Sequence, residues 1–161
     1  MPNMRITLLR LAVALPIIYV LHVAEEAPGF NQWFNAHVEP DASLRLYFVA
    51  NGVVLAMTTV VAILLAVARD RISAVVTLAW IGHVMLAHAV YHVAAVLVDR
   101  AYVPGLFTAL LLYLPASIAL IRAVAAERRM SVAAAASIAL AGGIPMYVHA
   151  WLVLVEGTRL F

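Results

Sequence analysis

His22-Val23-Ala24-Glu25-Glu26 sets one imidazole and two carboxylates at the end of an apolar run that otherwise avoids charge. On a helix turning ~100° per residue, Glu25 and Glu26 project ~60° and ~40° to either side of His22, so all three share a face. Such a face can hold one metal ion, pass a proton or grip a polar substrate. Ionisable groups within a membrane span are costly and mark functional sites. Glu25 and Glu26 are therefore the candidate catalytic carboxylates.

His88-x-x-x-His92 supplies a second element. At i, i+4 both rings leave one side of a helix, the spacing that offers two imidazoles to one cation. His22, Glu26, His88, His92 and His149 form the candidate metal set. Nitrogen and oxygen donors of this kind suit zinc, iron, manganese or copper, with zinc or iron favoured as the divalent cofactor. Asn51 stands inside an apolar run and either orients a ligand or bonds across helices. At ~1.5 Å per residue, His22, Asn51, His88, His92 and His149 fall within ~10 Å of one another in height, which argues for one site.

Other polar residues read differently. His83 lies ~140° from His88 on an α-helix and suits an interhelical hydrogen bond. His37 falls in a loop and is expected to be solvated. Tyr91, Tyr113 and Tyr147 read as packing or interfacial residues.

The elements that must carry these side chains are membrane helices. Of 161 residues, 66% are hydrophobic and 11% charged, against ~25% charged in soluble domains; mean hydropathy is +1.04. The surplus cannot be buried in a core of this size, so the fold class is all-α, a polytopic membrane helix bundle in one domain. Five stretches of ~20 or more residues can span, near 6–27, 43–68, 72–98, 105–124 and 131–156. Pro16 predicts a kink in the first, and Gly142-Gly143-Ile144-Pro145 a bend in the fifth. Residues 28–41, with Trp33 and Phe34, suit an interfacial segment. Arg69-Asp70-Arg71, Asp99-Arg100 with Pro104-Gly105, and Glu127-Arg128-Arg129 separate the remaining spans.

With no cysteine, disulfides, thiolate metal sites and cysteine nucleophiles are excluded. The net charge of +2 comes from ten arginines and no lysine, and no basic run exceeds Arg128-Arg129, so nucleic acid is not an expected partner. Arg5 and Arg10 precede an apolar stretch as in a signal peptide, but no small-x-small cleavage site follows and the first helix is read as retained. Arg5, Arg10, Arg69, Arg71, Arg122, Arg128 and Arg129 collect on one side, and Arg45, Arg100 and Arg159 on the other. The positive-inside rule then places the N-terminus in the cytoplasm and the His/Glu site in the outer half of the bilayer, with a bacterial inner membrane the expected location.

These residues resemble the HXXEE family of small integral membrane proteins. The likeness rests on His22-Val-Ala-Glu25-Glu26, the Gly29-Phe30-x-x-Trp33-Phe34 stretch, Asn51, His92, and Tyr102-Val103-Pro104-Gly105 opening the fourth span. The resemblance implies this architecture and site but no reaction.

The leading functional expectation is a membrane metalloenzyme acting on a membrane lipid or another lipophilic small molecule, with Glu26 as ligand, Glu25 as general base and hydrolysis by metal-activated water. The alternatives are a non-haem iron hydroxylase or desaturase, a metal-independent His/Glu isomerase or cyclase on a sterol- or isoprenoid-like substrate, and a non-catalytic metal or proton carrier or partner subunit. Five helices barely enclose a site, so a homodimer is compatible with the sequence.

Overall fold

A backbone in lipid must satisfy its own hydrogen bonds, and a helix does so within one segment. Every regular element among the described residues is accordingly helical. The computed structural model describes residues 4–38, 40, 42–68, 70–127 and 130–157. Arg69, Arg128, Arg129 and Arg159, used above for orientation, lie outside the described residues, as does the Arg5 side chain.

Helix α1 runs Met4–His37. Its 34 residues extend ~51 Å, longer than the ~30 Å hydrocarbon layer, so an end must project or the helix must tilt. The sequence reading ends this helix at residue 27; the structure instead carries it through Pro28 and Gly29 to His37. Pro28 forfeits one backbone hydrogen bond, a loss that membrane helices tolerate. Packing holds the turn in place: a Cβ on Gly29 would come within 2.5 Å of the Pro104 ring, so glycine permits the contact.

Helix α2 spans Leu44–Ala68, its first turn tied by Leu46 N–H donating to Ser43 Oγ at 3.2 Å. The third span is α3 (Arg71–Ile81), a π-helical turn (Gly82–Ala87) and α4 (His88–Asp99). Asp70 caps it, accepting from Ser73 N–H at 2.6 Å. The fourth span is a single turn, α5 (Leu106–Thr108), a second π-helical turn (Ala109–Tyr113) and α6 (Leu114–Glu127). Pro115 accounts for the second wide turn, because its ring would clash with the carbonyl four residues back in a regular α-helix. Helices α7 (Val132–Gly142) and α8 (Ile144–Leu154) meet at an angle of 46°, as the Gly-Gly-x-Pro sequence predicts. Among the described residues four helices are long and apolar enough to cross a membrane, or five if the bent pair is one span. The chain is thus an integral membrane protein.

Two glycines set the crossing of the third and fifth spans. A Cβ on Gly82 would strike the backbone of Ala139, and one on Gly142 would strike the backbone of Ala79. Such small-residue contacts let membrane helices approach closely where lipid offers no hydrophobic drive. The half of the bundle away from the His/Glu motif closes on Leu8, Leu15, Leu65, Leu78 and Leu120, all at most 3% exposed. Large apolar residues such as Val60, Val67, Ile72 and Leu111 face outward, where lipid would cover them.

Candidate metal centre

His22 and Glu26, one helical turn apart on α1, meet His88 and His92, one turn apart on α4. One ligand atom from each of the four lies within 4.8 Å of the other three. The His22 and His92 rings are buried, at 2% and 1% exposure, and stand 5.0 Å apart, with His22 and His88 5.3 Å apart. Glu26 Oε1 is 3.8 Å from His92 Nε2 and 3.9 Å from His88 Nε2, too far for hydrogen bonds. Tyr47 fixes the carboxylate by donating to Oε2 at 2.9 Å. His22 Nε2 and both ring nitrogens of His92 are buried without a protein partner, each an expense of ~1–3 kcal/mol unless something meets it. Two donors bound to one tetrahedral zinc at ~2.0–2.2 Å lie ~3.3–3.5 Å apart. The Glu26–histidine distances of 3.8 and 3.9 Å therefore need to close by only a few tenths of an ångström, and the set as a whole, within 4.8 Å, must draw together around an ion. The donor chemistry and the orphaned nitrogens both fit a divalent metal.

Glu25 faces elsewhere. Adjacent residues of a helix diverge by ~100°, so Glu25 turns from the cluster towards the start of the fourth span. Its carboxylate accepts from Phe107 N–H at 3.0 Å, Thr108 N–H at 2.7 Å, Thr108 Oγ1 at 2.5 Å and Tyr102 Oη at 2.7 Å. It thereby caps helix α5 from another helix, satisfying N–H groups that have no partner within their own helix. Partial burial, then the hydrogen bond to Glu25, holds the Tyr102 hydroxyl above the ordinary phenol range.

The same contact determines the protonation of His22. Thr108 Oγ1 carries one hydrogen, and the short bond to the acceptor-only Glu25 carboxylate takes it in preference to Gly105 O at 3.2 Å. His22 Nδ1, 2.8 Å from that oxygen, must then donate. The neutral ring consequently keeps its lone pair on Nε2, the nitrogen turned into the cluster. A hydrogen-bonded partner of this kind fixes the tautomer of metal-binding histidines.

Gly105, at the end of the Tyr102-Val103-Pro104-Gly105 stretch, lies directly against the two buried rings. Gly105 has φ +90°, and a Cβ there would come within 2.8 Å of His22 Cε1 and of His92 Cε1. Backbone conformation and lack of room both demand glycine here.

The remaining predicted positions do not join the four donors. His149 packs on Tyr91, ring centroids 5.8 Å apart, because Tyr91 turns ~100° from His92 and takes that contact. Asn51 bonds across helices by accepting from Tyr19 Oη at 2.5 Å, and donates back to Tyr47 O of its own helix at 3.0 Å. His37 is helical rather than in a loop, with Nε2 3.2 Å from Asp99 Oδ1 and Nδ1 2.8 Å from Trp33 O. His83 lies in the π-helical turn, where i→i+5 bonding stacks residues five apart. That brings it to the side of His88 instead of ~140° away, and its buried Nδ1 has no hydrogen-bond partner. Tyr113 is fully buried, its ring 4.2 Å from His22. Thr108 and Tyr47 carried no signal in the sequence beyond being polar in apolar runs.

The centre forms part of the wall of a cavity of about 460 Å³ between α1, α2, the third span and α8. Its apolar lining includes Phe30, Phe34, Leu46, Val54, Trp80 and Met146, and its polar lining Tyr19, His22, Glu26, Asn51, His83 and His88. Leu46, 60% exposed, and the exposed Ala50 lie on its lipid side.

The family model described as "Protein of unknown function with HXXEE motif" matches residues 13–120. No curated protein and no solved structure matches the chain.

Proposed function

The chain belongs to the HXXEE family, and we propose that its motif builds a divalent-metal centre in a membrane enzyme acting on a lipophilic substrate. The observation that carries this reading is the convergence of His22, Glu26, His88 and His92 within 4.8 Å beside an apolar cavity. Three nitrogens and one carboxylate oxygen suit zinc or iron. A bound divalent ion would supply Lewis-acid polarisation of a carbonyl or activation of water, and hydrolysis is the favoured reaction.

Within this reading the two glutamates divide the labour. Glu26 is the ligand or, on the same oxygen, the group that takes a proton from an incoming molecule. Glu25, held by four donors, acts through Thr108 as the positioning residue for His22. Substrate comes laterally from the lipid past Leu46 and Ala50. With the cytoplasmic N-terminus expected from the arginines, that lipid is the outer leaflet.

The test is metal content of the protein purified in mild detergent. About one zinc or iron per chain is expected, falling to background in His22→Ala and His92→Ala while size-exclusion and circular-dichroism profiles stay unchanged. A folded, metal-free protein that takes up neither ion on addition would overturn the metal reading. It would leave the metal-independent acid–base chemistry of Glu26 with His88 and His92.

A further inference from the structure

The cavity beside the centre has a shape and an electrostatic character that narrow its occupant. Along α1 it reaches from Tyr19 to Phe34, fifteen residue steps or ~22 Å of helix. Its volume is about 460 Å³. Carbon atoms in contact lie ~4.0–4.5 Å apart, so one extended hydrocarbon chain occupies ~16–20 Å². One such chain fits along this length.

The walls carry little charge. Among the described residues no arginine lines the cavity, and the one carboxylate that does is Glu26. The hydroxyl of Tyr47 is committed to Glu26, and that of Tyr19 to Asn51. In the metal-free centre an anionic headgroup would therefore meet a carboxylate with no arginine to receive it among the described residues. A hydroxyl, aldehyde or ester carbonyl needs only one donor or acceptor and meets no such cost.

We infer that the cavity binds a single-chain, uncharged lipophile, a long-chain alcohol, aldehyde or ester, with its small polar head at Glu26 and His88 and its chain along Phe30, Val54 and Trp80. This deepens the enzyme reading by naming its substrate class. Chain binding itself rests on the cavity and not on the metal.

Trp80 reports on the site, because its ring lines the cavity and its indole N–H is fixed by donation to Thr58 Oγ1 at 3.0 Å. The experiment titrates the detergent-purified chain with three brominated quenchers: a mid-chain-brominated 16-carbon alcohol, the matching carboxylate at pH 8, and a two-chain brominated phosphatidylcholine. The alcohol should give saturable quenching that disappears in Trp80→Phe and weakens at least tenfold in Ala50→Phe. Val60→Phe, on the lipid face of the same helix, should behave as wild type. After chelation of any bound metal the carboxylate should bind at least tenfold more weakly than the alcohol, and the phospholipid should quench no more in wild type than in Trp80→Phe. If Ala50→Phe fails to fold, Val54→Phe fills the same space from one turn deeper.

Quenching by the alcohol that does not saturate, or that persists unchanged in a folded cavity-filling variant, would overturn the proposal. So would equal affinity for the carboxylate or the phospholipid. Metal content read on the same preparations separates the two ideas: saturable quenching without metal sinks the metal centre alone, and metal without quenching sinks the lipophile site alone.

Discussion

Two clusters on α1 and α4 use the same chemistry to opposite ends. Near the end of α1, Asp99 accepts from Trp33 Nε1 at 2.7 Å and lies 3.2 Å from His37 Nε2, while His37 Nδ1 reaches Trp33 O at 2.8 Å. Both nitrogens of that histidine have partners, and the cluster is a latch between helices. Further in, His22, Glu26, His88 and His92 approach without bonding to one another: the Glu26 distances are 3.8 and 3.9 Å, and buried nitrogens stay unpartnered. A histidine and a carboxylate on neighbouring helices are therefore not by themselves a site. What distinguishes the inner cluster is that its geometry is too open for hydrogen bonds and near the right size for an ion.

The comparison breaks most readily at its ligands. His92→Ala should lower bound metal at least tenfold, whereas His37→Ala should leave it at the wild-type level, both read by elemental analysis of folded protein. Equal loss in the two variants would erase the distinction drawn here.

A smaller effect separates the two glutamates. Thr108→Val breaks the link between Glu25 and His22 while leaving every ligand in place, and should weaken metal affinity ~10–100-fold, the range for partners of metal-binding histidines. Nitrogen NMR of labelled His22 should at the same time lose its single protonated-Nδ1 form. An unchanged tautomer would remove Thr108 from the account.

The smallest change belongs to the latch. Asp99→Asn keeps the shape and weakens charge-assisted bonds, so it should cost ~1–2 kcal/mol of stability with metal content unaltered. Loss of metal in this variant would mean the two clusters are coupled.

Much of this was legible from residue types and spacing. The apolar stretches, the bend at Gly142-Gly143-Ile144-Pro145 and the meeting of His22, His88 and His92 follow from hydropathy, glycine and proline chemistry, and helical periodicity. The continuation of α1 through Pro28 was not legible, because it depends on Gly29 packing against Pro104, 75 residues away in sequence. The separation of Glu25 from Glu26 was half legible. Helical geometry requires them to diverge, but which one faces the histidines depends on where α5 begins. His83 departs from its α-helical position because Gly82–Ala87 is π-helical, which hydropathy and spacing do not reveal.

That wide turn also bears on what counts as the motif. A π-helical turn is an α-helix holding one surplus residue, so its effect is a change of phase for all that follows. Closing Gly82–Ala87 to a regular α-helix without deleting a residue would keep the same histidines in the same order, yet turn His88 and His92 by ~100°, away from α1. The spacing between Gly82, which locks the third span to the fifth, and His88 is thus a phase setting, as much a part of this centre as the side chains that line it.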